Sequence, residues 1–292
     1  MSTTTTNTTT TAPTEFLRGP RETYAYRRIG GGIRRPLICL QHFTGTLDNW
    51  DRAVTDPLAS EREVILFDNA GVGRSTGNAP TTVAEMTRHA LDFLDALCVT
   101  SCDLLGFSLG GMVAQQIASE RPSIVHKMIL VATAPRGGED VMHLDKPSLA
   151  AHLGDPTLKG YAVLQKIFFA PTASSQAAGQ AFIERLSERT EDLDRRSGPD
   201  VAAAQMTAFR EWERPVSSVG DLGRITQPTL VVNGVHDEMI PVRNSYRLCE
   251  SLPNAVLLVY PDSGHGSLFQ FHDSFTRQAA AFLASASPFA PF

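Results

Sequence analysis

Apolar runs and helical stripes alternate along this chain. "RPLICLQHF" (residues 35–43) and "REVILFDN" (62–69) are continuous apolar stretches, the pattern of strands buried on both faces of a largely parallel sheet. Val83, Met86, Ala90, Phe93, Leu94 and Leu97 recur at helical spacing and predict an amphipathic helix over 82–97. Leu104 to Phe107 then read as a short buried strand, with Leu109, Met112, Val113 and Ile117 marking a helix directly behind it. "HKMILVAT" (126–133) supplies the next strand. Upstream, "RETYAYRRIGGG" (21–32) alternates as a strand does, and Gly30 to Gly32 predict a hairpin turn.

Regular strand–helix alternation predicts right-handed βαβ units in a three-layer α/β architecture. The rhythm breaks after Arg136. Residues 137–215 offer only helical pieces, "LAAHLG", "GYAVLQKIFFAP" and "DVAAAQMTAFREWE", before "PTLVVNG" (228–234), a helix near 244–252, "AVLLVYP" (255–261) and a last helix carrying Phe275, Ala279, Phe282 and Leu283 restore it. The expected organisation is a disordered threonine-rich tail (1–15), a core formed by 16–136 and 216–292, and a helical insertion (137–215).

Composition narrows the function classes. With 42% hydrophobic and 20% charged residues in 292, the chain is an ordinary globular protein with one large domain, and a net charge of −5 gives no footprint for nucleic acid or an anionic membrane. No stretch approaches the ~18 apolar residues of a membrane helix, and the N-terminus lacks the basic and apolar regions of a signal peptide. Cys39, Cys98, Cys102 and Cys249 show no C-x-x-C spacing; reduced structural thiols and a cytoplasmic location are expected.

Ser108 falls at the corner between strand and helix in Gly106-Phe107-Ser108-Leu109-Gly110, a G-x-S-x-G pattern. A tight turn there strains the serine and needs neighbours without side chains. It also lifts the hydroxyl to the positive end of the next helix. A serine needs a base, and the base a carboxylate to orient it. Asp237 and His265 each lie just past the end of a predicted strand, and the C-terminal ends of parallel strands share one edge of the sheet.

In these features the chain resembles the α/β-hydrolase superfamily from about residue 20 to 285. Nucleophile, acid and histidine follow in its order as Ser108, Asp237 and His265. The loop "DNAGVGRS", with Asp68, Gly71, Gly73 and Ser75, resembles the family's D-x-x-G-x-G-x-S segment; it lacks the lysine of a phosphate loop. The resemblance implies a three-layer α/β-hydrolase fold, a mostly parallel sheet with a helical cap insertion at 137–215. One departure stands out. Where the family carries His-Gly before the oxyanion residue, this chain reads Gln41-His42-Phe43-Thr44-Gly45. Aligned on Trp50, His42 takes the glycine position, in a structural role, and the backbone N–H groups of Phe43 and Leu109 become the expected oxyanion donors, a device typically contributing about 3 kcal/mol per donor.

Glu238, Asp262 and Asp140 are rival acids; Glu238 should point elsewhere, Asp262 should shape its turn, and some relatives use the position of Asp140. His143, His152 and His236 read as loop or solvent-facing histidines without metal-site spacing. Phe168, Phe169 and Trp212 would roof the pocket, which with few fixed charges suits a hydrophobic ester or lactone. The function expected is that of a cofactor-free, metal-free serine hydrolase acting on a small ester or lactone through an acyl-enzyme, possible as a homo-oligomer. The alternatives are a perhydrolase or haloperoxidase, disfavoured by Thr44 where those enzymes often have proline, a C–C bond hydrolase on the same triad, and a non-catalytic ligand receptor.

Overall fold

The computed structural model describes residues 7–214 and 222–286. Short strand β1 (Glu15–Arg18) leads into β2 (Thr23–Gly30) and β3 (Leu37–Leu40), then α1 (Arg52–Leu58), β4 (Glu63–Phe67), α2 (Val83–Ala96), β5 (Cys102–Phe107), α3 (Leu109–Glu120) and β6 (Val125–Val131). Four helices follow without a strand: α4 (Pro147–Leu153), α5 (Ala162–Phe168), α6 (Ala173–Leu186) and α7 (Pro199–Glu213). The sheet resumes with β7 (Thr229–Gly234), α8 (Arg243–Ser251) and β8 (Ala255–Tyr260), and α9 (Ser267–Gln270) and α10 (His272–Ala284) end the described chain.

Among the described residues eight strands form one sheet in the order β1-β2-β4-β3-β5-β6-β7-β8. Pairings β1–β2 and β2–β4 are antiparallel and the remainder parallel. β3, β5 and β7 are buried at every residue, as unbroken apolar runs between two helical layers must be. From β3 the chain steps outward to β4, then returns past β3 to β5. Right-handed crossovers therefore put α1 on one face and α2 and α3 on the other; α1 packs with α10, and α2 with α3. The reversal opens a crevice at the C-terminal ends of β3 and β5, the place where open α/β sheets bind ligands.

Two expectations are corrected. Gly30–Gly32 do not form a hairpin turn, because β2 pairs with β1 and β4 and β3 lies on the far side of β4. Nor is the stretch 7–14 a disordered tail, although residues 1–6 lie outside the described residues. Ala12 is fully buried. The Thr9 N–H and hydroxyl donate to Asp56 Oδ1 at 2.8 and 2.5 Å, and the buried Arg189 guanidinium donates to the carbonyls of Thr9, Thr10 and Ala12 at 3.1, 3.1 and 3.0 Å. Threonine-rich sequence carries no hydrophobic periodicity, so this packing was invisible in the pattern. Among the described residues no helix is long and apolar enough to cross a membrane.

Deleting the chain through Thr14 should lower the unfolding free energy by about 2 kcal/mol or more, since it strips charge-assisted hydrogen bonds from a buried guanidinium. Urea denaturation measures this; a truncation without cost would show that the segment does not brace the fold.

Candidate active site

Ser108 occupies the corner between β5 and α3 with φ 56° and ψ −116°, a conformation costing a non-glycine residue of order 1–3 kcal/mol. Hydrogen bonds hold it there: its N–H donates to Val131 O and its carbonyl accepts from Gly111 N–H, both at 2.9 Å. The flanking glycines are required by space. A β-carbon on Gly110 would lie 2.0 Å from Leu40 O, and one on Gly106 would lie 2.5 Å from Gly110 O. The helix thus rests directly on the end of β3. Ser108 is fully buried and its hydroxyl has no hydrogen-bond partner among the described residues.

Asp237 and His265, from the loops after β7 and β8, meet with His265 Nδ1 2.8 Å from Asp237 Oδ2. A carboxylate only accepts, so Nδ1 carries the proton and Nε2 is the bare nitrogen of the neutral ring. Asp237 Oδ1 accepts the N–H groups of Met239 and Ile240, each at 2.9 Å, which locks the carboxylate. Both side chains are fully buried. Nε2 of His265 has no partner among the described residues, and the ring lies against Phe107 and Phe168 with centroids 5.1 and 5.4 Å away.

The rival acids are engaged elsewhere. Asp140 is exposed and pairs with Arg243. Glu238 is exposed and accepts from Ser148. Asp262 accepts from Thr172 and Ser174 at 2.7 and 2.5 Å, tying the start of α6 to the loop that carries His265. His143 pairs with Glu213, His152 and His236 border a cavity away from Ser108, and no cluster of three or more His, Cys, Asp or Glu among the described residues has the arrangement of a metal site.

Beyond β3, the turn 41–46 reaches over the elbow. The N–H groups of Phe43 and Leu109 have no acceptor among the described residues. Thr44 N–H donates to Gln205 Oε1 at 2.6 Å, so a helix of the insertion holds this turn. Gln205 was missed in the sequence; the available signal was one amide in the buried stripe of α7 otherwise formed by Ala208, Phe209 and Trp212. His42 is buried between Phe107 and Phe168. Its Nδ1 lies 2.8 Å from Phe43 O, which fixes the proton on Nδ1. Burial pushes the imidazole down to about 3, with the bond to Phe43 O opposing and nearby His265 adding to the shift. The ring therefore stays neutral.

A cavity of about 450 Å³ opens beside this turn, between core and insertion, lined among others by His42, Thr44, Tyr161, Leu164, Leu186 and Leu193. Asp48, Arg189, Asp194 and Arg196 also border it, against the expectation of few fixed charges. The aromatic residues expected to roof the pocket are distributed differently. Phe168 sits on His265 and His42 instead of lining this cavity. Phe169 borders a separate space of about 300 Å³. Trp212 is buried in the insertion, with its indole N–H on Ala134 O at 3.1 Å. Ser108 and His265 border neither space and are 0% and 1% exposed, so the elbow is sealed in this conformation.

The strained serine, the buried carboxylate–imidazole pair and the switch-point crevice define an α/β hydrolase. The model of the α/β hydrolase fold family matches residues 35–271, and the chain belongs to that family. It is 41% identical to an α/β hydrolase fold protein from Chitinophaga pinensis, with a TM-score of 0.89 over 96% of this chain and 100% of that one. It is 30% identical over 264 residues, 89% of this chain and 95% of the relative, to a protein of Caulobacter sp. (strain K31) provisionally named carbamate hydrolase RutD. It is also 25% identical over 268 residues to 2-hydroxy-6-oxononadienedioate/2-hydroxy-6-oxononatrienedioate hydrolase 1 of Dechloromonas aromatica (strain RCB), covering 88% of this chain and 89% of that one.

His42 predicts an acid-limb effect on stability. Its folded value of about 3 lies below the ~6.5 of an unfolded histidine, so the unfolded chain binds the extra proton. The contribution is present above ~6.5 and is lost as pH falls toward the folded value, at up to about 1.4 kcal/mol per pH unit. Urea midpoints measured across that window should fall less steeply for His42→Phe than for the wild type; equal slopes would show that His42 is not the group being protonated.

Proposed function

We propose that the protein is a serine hydrolase cleaving a carboxylic ester or lactone of a small substrate through an acyl-enzyme. The observation that carries this reading is the buried His265–Asp237 hydrogen bond, which leaves His265 Nε2 bare, alongside a strained serine whose hydroxyl is unpartnered. Nε2 takes the Ser108 proton as Oγ attacks the carbonyl carbon. The N–H groups of Phe43 and Leu109 stabilise the oxyanion. As the carbon–oxygen bond to the leaving group breaks, His265 returns the proton to the departing oxygen. Water, deprotonated by the same nitrogen, then releases the acid and restores Ser108. Asp237 stays ionised and orients the ring throughout.

The 450 Å³ cavity is the size of a small-ligand pocket, and its leucines beside paired charges suit a substrate with an apolar part and a polar end. Cleavage of a carbamate or a carbon–carbon bond is the second reading, supported by the names of two relatives and open to the same three residues. Four free cysteines favour a reducing, cytoplasmic setting.

Ser108→Ala should keep the fold and reduce turnover by ~10⁴-fold or more. An active-site fluorophosphonate should label the wild type and not this variant, and a panel of p-nitrophenyl esters, lactones, aryl carbamates and vinylogous 1,5-diketones ranks the two readings. A variant retaining a tenth of the activity would remove Ser108 as nucleophile. Asp237→Asn should cost more than Asp140→Asn; the reverse order would move the acid to the loop after β6.

A further inference from the structure

Two carboxyl groups meet where the insertion touches the core. Asp68 follows β4 and opens the glycine-rich loop 68–75, which Ser75 closes by donating to Asp68 O at 2.7 Å. Asp194 lies between α6 and α7. Asp68 is 1% exposed, and the Asp194 side chain is fully buried. A β-carbon on Gly73 (φ 55°) would lie 2.1 Å from Asp68 Oδ2 and 2.4 Å from Asp194 Oδ2, so both oxygens crowd the same point beside this glycine. Neither Asp68 oxygen, nor Asp194 Oδ2, has a donor partner among the described residues. Two buried carboxyl groups this close are held together most favourably when one of them carries a proton that the other accepts.

The surrounding charges leave that proton as the missing counter-charge. Arg27 pairs with Asp48 at 2.6 Å, Arg189 with Asp48 and Asp192 at 3.8 and 3.3 Å, and Arg74 with Asp192 and Asp194 at 2.7 and 3.7 Å. Three guanidinium groups thus face three carboxylates, and Asp68 is the fourth acid with no cation of its own. Exposed Arg195, donating to Gly73 O at 3.1 Å, and exposed Arg196, stacked over Tyr161, complete the surroundings. Burial pushes the Asp68 carboxyl well above the usual carboxylate range. Its hydrogen bond to Asp194 and the charge of Asp194 push it further, with Arg27 opposing and Asp48 adding.

We infer that Asp68 and Asp194 share one proton and act as a latch, holding the 189–197 wall of the insertion on the core while the proton is bound and releasing it when the proton is lost to solvent. This wall borders the 450 Å³ cavity beside the oxyanion turn, so release alters how ligands enter; that consequence, though not the latch, rests on the function proposed above. The released carboxyls are ordinary solvated aspartates that give up the proton at neutral pH. The latch is therefore complete below the ordinary aspartate value, weakens by up to about tenfold per pH unit above it, and is lost as pH rises through the raised value of Asp68.

Hydrogen–deuterium exchange of residues 187–197 in the full chain, from about pH 5 to about pH 9 and corrected for base-catalysed intrinsic exchange, reads the opening directly. Wild-type protection should fall with pH by up to about tenfold per unit over part of that range. Asp68→Asn keeps a donor for Asp194 but cannot ionise, so its protection should not vary with pH; Asp194→Asn gives Asp68 a donor and removes the neighbouring charge while leaving Asp68 buried, so its protection should fall less with pH than that of the wild type. Wild-type protection that ignores pH, or variants that follow the wild-type curve, would overturn the latch. In turnover assays Asp68→Asn should lose a pH dependence of KM while that of kcat remains. A chain inactive on every ester, lactone, carbamate and diketone would refute the proposed function and leave the exchange result to decide the latch.

Discussion

The contact on which the site depends is the seating of the first turn of α3 on the end of β3, so close that a methyl group on Gly110 would overlap the Leu40 carbonyl. Any side chain at Gly106 or Gly110 would push the helix off the sheet. With both absent, the helix starts beside the turn that follows β3. The strained serine and the Leu109 N–H at the start of α3 are thereby set beside the chain where it leaves β3 at Leu40 and Gln41. The strain at Ser108, of order 1–3 kcal/mol, is tolerated because bonds to Val131 and Gly111 over-determine the corner.

A second constraint governs the acid–base pair. A buried carboxylate is costly unless its lone pairs are occupied. Asp237 meets that condition with two backbone N–H groups on one oxygen and an imidazole N–H on the other. The aromatic rings of Phe107 and Phe168 pack against both His265 and His42, yet the two imidazoles meet different acceptors. His265 Nδ1 faces a carboxylate, whereas His42 Nδ1 faces the Phe43 carbonyl and stays pinned within the turn 41–46.

The insertion joins the core through polar ties and not only through apolar packing. Gln205 holds the turn 41–46, Asp262 anchors the start of α6, and the Arg27–Arg74–Arg189 cluster fastens residues 189–194. The N-terminal threonines add the outermost clamp through Arg189. Such ties are specific in geometry but modest in net energy.

Sequence by itself determined the parts that follow from local chemistry. Unbroken apolar runs had to be buried parallel strands, and G-x-S-x-G marked a strained corner because only glycine fits around it. Asp237 and His265 were legible because strand ends share one edge of the sheet, so residues just past them are brought together whatever lies between. Tertiary structure alone decided what depends on facing surfaces far apart in the chain. The partners of Arg189, the grip of Gln205 on Thr44, the burial of residues 7–14 and the confrontation of Asp68 with Asp194 join segments that carry no shared periodicity. The aromatic residues of the insertion make the same point: helical spacing shows that Phe168, Phe169 and Trp212 are buried, but that Phe168 lies on His265 while Phe169 borders a separate space is set by how the insertion is docked, by contacts no single segment contains.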